Sequence, residues 1–462
     1  MQTKKEEQSI FIPALGIFLG IALVIIDSTL VNLALPVMAR DLQISDGAAT
    51  WFVQSYQLAL LALLFPAIAL SPLAGCKRLF LGGIALFVAA SAGCALSRSP
   101  LSLCLFRILQ AVGGAGVMSA NIALVERVFA GDRLATGIGF NTATISVSII
   151  LGPALGGFML MHLSWPWLFA INIPLGLLAL YAAWKFVPGE HTAPLAREDG
   201  QAFAVTLGLS LLLFAALFAT LGVFSWRLPW QILPVSLPCL LLCCRLLWKQ
   251  QHVGRMLLFP EHVLANKPFL LSLAVTIVCF MAQSGAVLAM PFAFMDGLGF
   301  GIEETGLLLV AWPALHSVAS LASGKLGNLV PRDRLTPLGM LLCTVGIVLL
   351  ALAPAPSLWR MASIVALCGL GYGLFQAPND TATLMFAPVS DRARTSSLLS
   401  FSRTFGQTLG TMMTAGCLLE NSANLALPFL FAALAGGTGT LLALARCLRY
   451  GAVRESPASQ HR

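Results

Sequence analysis

The sequence predicts an all-α polytopic membrane protein with fourteen membrane-spanning helices, and three observations carry that prediction. First, hydrophobic residues make up 58% of the 462 positions and charged residues only 10%, with a mean hydropathy of +0.88. A soluble surface has to be dressed with charge, and this chain has too little of it. Second, apolar runs of about 20 residues, the length a bilayer core demands, recur along the chain with short charged islands between them. Lipid offers no water to an open backbone, which leaves helices or closed barrels, and runs this long are helices. Third, the basic residues fall where a chain weaving through a membrane would put them.

The runs lie at 12–37, 49–71, 79–97, 100–125, 136–162, 166–187, 202–223, 229–248, 268–293, 304–324, 336–354, 358–386, 395–419 and 425–446. Their even number puts both termini on one side. With that side cytoplasmic, the inside loops and tails hold 21 of the 27 Lys and Arg residues, Arg446 and Arg449 among them. The outside loops hold Arg40, Arg98, Arg227 and Arg360, and the remaining two, Arg107 and Arg403, fall inside spans. Basic residues hold loops on the cytoplasmic side. The bias therefore orients the chain and accounts for its net charge of +8 without invoking nucleic acid. No signal-peptide cleavage site follows the first run, which reads as a retained span.

Several function classes fall away on motif grounds. Among the eleven cysteines, Cys94, Cys104, Cys279, Cys343, Cys368 and Cys417 sit in apolar runs, where Cys behaves as a small hydrophobe. There is no paired CxxC, and the six histidines show no metal spacing. The glycine-rich runs lie in apolar spans and so do not cradle phosphate. These features argue against a membrane enzyme, and against ATP-driven transport without a separate ATPase subunit. No cofactor is expected beyond a proton gradient.

The chain also repeats itself. Gly116-Val-Met-Ser-Ala-Asn121 is echoed by Gly373-Leu-Phe-Gln-Ala-Pro-Asn379, and Asp132-Arg133-x-x-Thr136 by Asp391-Arg392-x-x-Thr395. Each DRxxT opens a span that later reaches a glycine, at Gly152 and at Gly410. Spans four and five thus resemble spans twelve and thirteen in order and direction. Parallel repeats of this kind build transporters from two bundles. The expected organisation is an N-terminal six-helix bundle at 1–187, a linker with two extra helices at 188–266, a C-terminal six-helix bundle at 267–448 and a cytoplasmic tail at 449–462. The polar segments 188–200 and 250–265 flank the inserted pair.

One residue stands in the wrong solvent. Asp27 sits in Phe11–Pro36, an otherwise apolar or weakly polar stretch long enough to cross the bilayer. A carboxylate there costs a few kcal/mol and needs a partner, water, or a proton to take up. Asp27 lies about 15 residues into an outward-running helix, roughly 22 Å from the inner face. Arg107 lies about seven residues down an inward-running helix, which brings the two to similar depth.

With these residues in view, the chain resembles the major facilitator superfamily, and within it the 14-span drug:proton antiporters of the multidrug-efflux type. The resemblance rests on five pieces in order. They are Ile26-Asp-Ser-Thr-Leu-Val-Asn-Leu-Ala-Leu-Pro36, Trp51-Phe-Val-Gln-Ser-Tyr56, Arg107-Ile-Leu-Gln110-Ala-Val-Gly-Gly114, Leu151-Gly-Pro-Ala-Leu-Gly-Gly157 and Trp165-Pro-Trp-Leu-Phe-Ala-Ile-Asn-Ile-Pro174. It covers nearly the whole chain and implies the major facilitator fold, two six-helix bundles with two inserted helices. It also implies export of drugs or metabolites by proton antiport, from a bacterial cytoplasmic (inner) membrane, with both termini cytoplasmic. The span-five motif is the one associated with exporters. Two departures stand out. The loop after span two, with Gly75, Lys77 and Arg78, carries Pro72 where the family has an acid, and the matching loop after span ten carries Asn328. The first glycine of the span-five motif is Ser148. The resemblance assigns that acid to a cytoplasmic latch, so its loss at both loops puts the latch in question.

The resemblance places spans one and four together, so Arg107 is expected beside Asp27. Opposite charge favours the ionised acid and burial the neutral one; a balance that changes with conformation would couple a proton, whereas a static pair would only join two helices. Asp380 and Arg403 form a second candidate pair. Asn32, Gln54, Tyr56, Gln57, Gln110, Asn141, Gln283, Gln376 and Asn379, together with Asp380 and Arg403, are expected cavity residues, since lipid-facing amides are costly. Gly152, Pro153, Gly156 and Gly157 permit a bend or close packing in span five, and Gly113, Gly114 and Gly116 permit close approach in span four. The expected partners are a small-molecule substrate, protons and the lipid bilayer, with no nucleic acid. A periplasmic adaptor and outer-membrane channel are compatible with the sequence but not required by it. The alternatives are an exporter of an anionic metabolite or siderophore-like metal chelate, an importer, and a proton-independent facilitator.

Overall fold

The computed structural model describes residues 2–129, 133–189, 197–226, 266–326, 331–352, 357–386, 392–420 and 425–450, with five further residues between 238 and 245. The described residues are helical apart from turns and short connections, and they divide into two units, Met1–Leu257 and Leu258–Arg462.

In the first unit the helices are α1 (Gln2–Asp41), α2 (Asp46–Ala49), α3 (Trp51–Ala74), α4 (Cys76–Leu96), α5 (Pro100–Val128), α6 (Leu134–His162), α7 (Trp167–Ala170), α8 (Asn172–Phe186) and α9 (Arg197–Trp226). Local chemistry marks their starts. Ser99 caps α5 through a reciprocal box with Ser102, and Pro100 occupies the first turn, where its missing N–H costs nothing. Gly75, at φ +86°, is both the end of α3 and the start of α4. A side chain rarely adopts that backbone, so glycine alone makes this turn cheaply. Packing pairs α4 with α5, α3 with α5 and α9, and α1 with α6 and α8. Phe80, Ile84, Phe87, Ala111, Val117 and Tyr56 are among the buried side chains at its centre.

The second unit contains α10 (Lys267–Phe292), which ends on a π-helical turn at Ala293–Gly297, then α11 (Ile302–Leu326), α12 (Arg332–Ala351), α13 (Leu358–Met385), α14 (Arg392–Glu420) and α15 (Ala426–Tyr450). Here α12 packs on α13, α11 on α13, α10 on α14 and α15, and α12 on α15. These pairings match, one for one, α4 with α5, α3 with α5, α1 with α6 and α8, and α4 with α8. The same small-residue contact recurs as well. A Cβ on Gly83 would lie 2.7 Å from the Gly113 carbonyl oxygen, and one on Gly339 would lie 2.7 Å from that of Gly371. Both α4–α5 and α12–α13 are thus held backbone to backbone, as small residues allow, so the weak sequence repeat corresponds to a repeated helix arrangement.

Eleven helices among the described residues are long and apolar enough to cross a membrane. They correspond to predicted runs one to six, nine to twelve and fourteen, so fourteen is not established. Run seven is helical as α9, with Phe203–Ala216 an apolar stretch among the described residues. Run thirteen is helical as α14, yet it falls outside those eleven. The hydroxyls of Thr404, Thr408 and Thr411 bond to its own backbone carbonyls, which lets a hydroxyl-rich helix pack without open donors. Run eight lies almost wholly outside the described residues. So do most of the two linker segments, Asp132, Asp391, Asn328 and residues 451–462.

Candidate functional site

Asp27 and Arg107 are in contact. Both are 1% exposed, and Arg107 Nη1 donates to Asp27 Oδ2 at 2.5 Å. Asp27 Oδ1 accepts from Asn172 Nδ2 at 2.6 Å and from Gln110 Nε2 at 3.2 Å. The guanidinium donates further to Gln110 Oε1 at 2.8 Å and, through Nε, to the Phe52 carbonyl at 2.9 Å. It lies 4.4 Å over the Tyr56 ring and 5.7 Å from the Phe169 ring. Ser91 closes the network, accepting from Gln110 at 2.7 Å and donating to the Phe87 carbonyl at 2.7 Å. The knot draws on α1, α3, α4, α5, α7 and α8.

Such completeness is what a buried ion pair requires. Desolvation costs several kcal/mol per ion, repaid only by close geometry and by hydrogen bonds to the remaining lone pairs and protons. Asn172 and Ser91 supply part of that repayment, and neither was singled out from the sequence. Asn172 stands inside the quoted span-six motif; Ser91 had no signal. The pair is sealed from solvent. A proton reaching Asp27 must therefore follow a parting of helices, and once there it would leave Arg107 without its counter-charge.

The span-five motif backs directly onto this region. A Cβ on Gly152 would collide with the Thr29 side chain, and one on Gly156 would lie 3.1 Å from Leu30 Cδ2. Glycine at both positions brings α6 against the turn of α1 that follows Asp27. Pro153 and Gly157 are buried beside them, and α6 continues through Pro153 as one helix. Asn141 accepts from Asn121 at 2.8 Å, joining α6 to α5. Gln54 donates to Thr50 at 3.0 Å within α3. Asn32 and Gln57 are half-buried.

At the loop after α3, Lys77 Nζ donates to the carbonyls of Trp184 at 2.9 Å and Val187 at 2.6 Å. It thereby caps the carboxyl end of α8, where carbonyls lack partners and the helix dipole favours a cation. Arg78 is exposed. The basic half of the loop motif thus docks within its own unit, without the family's acid.

In the second unit, Arg403 Nη2 donates to Asp380 Oδ2 at 2.5 Å, joining α14 to α13, with side chains 31% and 19% exposed. This pair is more open than Asp27–Arg107. Gln376 and Gln283 are half-buried. Asn379 is wholly buried and its amide is engaged: Oδ1 accepts from Arg446 at 2.7 Å and Nδ2 donates to Thr276 at 2.9 Å. Arg446 also donates to Ser272 at 3.0 Å and Thr336 at 3.2 Å. Counted from the sequence among the cytoplasmic charges, Arg446 is 1% exposed and gathers α10, α12 and α13 around the last turns of α15. Its neighbours Arg449 and Arg454 disguised it as part of a basic tail.

Among the described residues no cluster of His, Cys, Asp and Glu could hold a metal ion.

The sequence profile of the Major Facilitator Superfamily matches residues 17–239 and 272–461. The uncharacterized transporter YebQ of Escherichia coli (strain K12) is 32% identical over 402 residues, 87% of each chain. The multidrug transporter protein MdtP of Bacillus subtilis (strain 168) is 26% identical over 413 residues, 89% of this chain and 75% of that one. A crystal structure of a POT family transporter in complex with a thioalcohol-conjugated peptide superposes with a TM-score of 0.73 over 96% of both chains at 12% identity, a likeness of fold alone. The chain belongs to the Major Facilitator Superfamily, with relatives of the multidrug-efflux type.

Proposed function

We propose that this chain is a secondary active exporter of small organic compounds, driven by proton antiport through alternating access across a bacterial cytoplasmic membrane. The observation that carries the reading is the Asp27–Arg107 pair, a carboxylate and a guanidinium both 1% exposed, against which the exporter-associated glycines of α6 pack through α1. The acid is stable only while its three donors surround it. A rearrangement that moves α6 along α1 loosens those donors, admits water and shifts the balance between the charged and neutral carboxyl. Return to the sealed state then expels the proton, because a neutral acid would strand the buried Arg107. Substrate transfer coupled to that cycle is antiport. MdtP supports the export of drugs as the cargo class.

The test is transport in proteoliposomes under an imposed pH gradient, normalised to correctly folded protein. Wild type is expected to accumulate substrate with the gradient. Asp27→Asn is expected to lose the gradient dependence, and Asp27→Glu to retain part of it. Gradient-independent transport unchanged in Asp27→Asn would leave the scaffold as a facilitator and remove the proton from the mechanism.

A further inference from the structure

The second unit holds a cluster that the Asp27 network does not use. Tyr372, Gln376 and Asp380 recur at four-residue intervals on α13 and so share one side of that helix. From α14, Arg403 pairs with Asp380 and lies 5.8 Å from the Phe280 ring. Phe280 in turn meets Tyr372 edge to face at 5.6 Å. From α11, His316 sits 5.4 Å from the Tyr372 ring, with Trp312 at 6.3 Å. Three polar atoms in this cluster are buried and have no hydrogen-bond partner: Tyr372 Oη, Asp380 Oδ1 and Arg403 Nε. The tyrosine is 2% exposed. Native interiors rarely leave such groups open, and convergent open groups mark a place where something polar binds.

We propose that these residues form a binding site for a flat aromatic compound that presents a hydrogen-bond donor and acceptor together, as a zwitterion does, in preference to a lipophilic monocation. The reasoning is one of charge balance. Asp380 and Arg403 already neutralise each other. A lone organic cation reaching for Asp380 must displace the guanidinium and leave it uncompensated in the membrane interior. A zwitterion instead docks its positive group on the open Asp380 Oδ1 and its negative group on the open Arg403 Nε–H, and the ion pair survives. The tyrosine hydroxyl, able to donate or accept, completes the polar edge, while Phe280, Trp312 and the His316 ring supply aromatic faces for a planar body.

The inference rests on the transporter reading above but not on its energy source. It is tested by equilibrium dialysis with the full-length protein in detergent at neutral pH and no gradient. The probes are norfloxacin (a zwitterionic aromatic), its ethyl ester (the same body without the carboxylate) and tetraphenylphosphonium. Norfloxacin is expected to bind at least about tenfold more tightly than either cation, the factor that corresponds to one lost charge-assisted contact. Tyr372→Phe removes only the hydroxyl and is expected to weaken norfloxacin by about five- to tenfold. Arg403→Lys keeps the charge but lacks Nε–H, and is expected to act in the same direction without unfolding the pair. Absence of norfloxacin binding to the folded wild type, equal affinity for the three probes, or no effect of either variant overturns the proposal. Those outcomes leave gradient-driven export of other compounds intact. Conversely, gradient-independent transport unchanged in Asp27→Asn would remove the proton from the mechanism and leave this selectivity standing.

Discussion

Asp27→Asn is nearly isosteric, yet it removes the carboxylate that contacts Arg107 Nη1, at a site 1% exposed. Two penalties follow. The guanidinium loses its counter-charge where water cannot replace it. In addition, one side of the new amide is a donor placed among the donors Arg107, Asn172 and Gln110. Breaking one partner of a buried pair costs about 3–5 kcal/mol, a large part of the roughly 5–15 kcal/mol that holds a typical fold. Arg107→Gln should cost a similar amount, because Asp27 is then stranded. The double variant Asp27→Asn/Arg107→Gln carries no buried charge and should recover much of the loss, giving a coupling energy of about 2–3 kcal/mol in a double-mutant cycle. The assay is unfolding of the purified protein in mixed micelles with rising SDS, followed by far-UV circular dichroism and tryptophan fluorescence. Single variants within about 1 kcal/mol of wild type, or a double variant that merely sums the singles, would show that the pair contributes little to holding the helices and would refute the reasoning.

Three further outcomes are expected. Gly113→Leu should prevent folding, because a Cβ there already falls 2.6 Å from the Gly83 carbonyl and 2.7 Å from the Phe87 nitrogen; Gly82→Ala, with nothing within 4 Å, should stabilise by about 0.5–1 kcal/mol, both read by yield of monodisperse protein and by SDS unfolding. Lys77→Met should lose both bonds to the end of α8 and cost about 1–3 kcal/mol, with faster hydrogen exchange confined to the last turn of α8 and partial rescue by Lys77→Arg. Asn379→Ala should destabilise the second unit by about 1–3 kcal/mol by removing the acceptor of Arg446 Nη1 at 2.7 Å and the amide donor to Thr276 at 2.9 Å, while the KM for transported substrate stays unchanged; a raised KM at unaltered stability would return Asn379 to the substrate path.

The fold was largely legible in the chain because lipid imposes a blunt rule: an apolar run of sufficient length must close its own hydrogen bonds. That rule located the eleven apolar helices. It also placed run thirteen, which is helical as α14, although hydroxyls such as those of Thr404, Thr408 and Thr411, bonded within their own helix, dilute its apolar signature and it falls outside those eleven. The proximity of Asp27 and Arg107 was legible for the complementary reason, since two charges at one depth in a medium that rejects both have little choice of partner. Uncharged polar residues carry no such compulsion. Asn172 and Ser91 belong to the network that completes Asp27, while Gln57 and Gln283 are only half-buried, and nothing in their spacing separates the two groups.

By itself, the order of residues determined the class of protein, the helical repeat and the need for the intramembrane acid to find a cation, because burial free energy and charge desolvation depend on residue type and run length. Tertiary structure alone decided which polar groups are sealed and which are open. Asp27 is closed by an asparagine 145 positions away in the chain, Arg446 is turned from a tail charge into a core residue by three helices that meet around it, and Asp380 is left with an unserved oxygen. Satisfaction of a hydrogen bond is a matter of angstroms between distant segments, and only the packed helices set those distances.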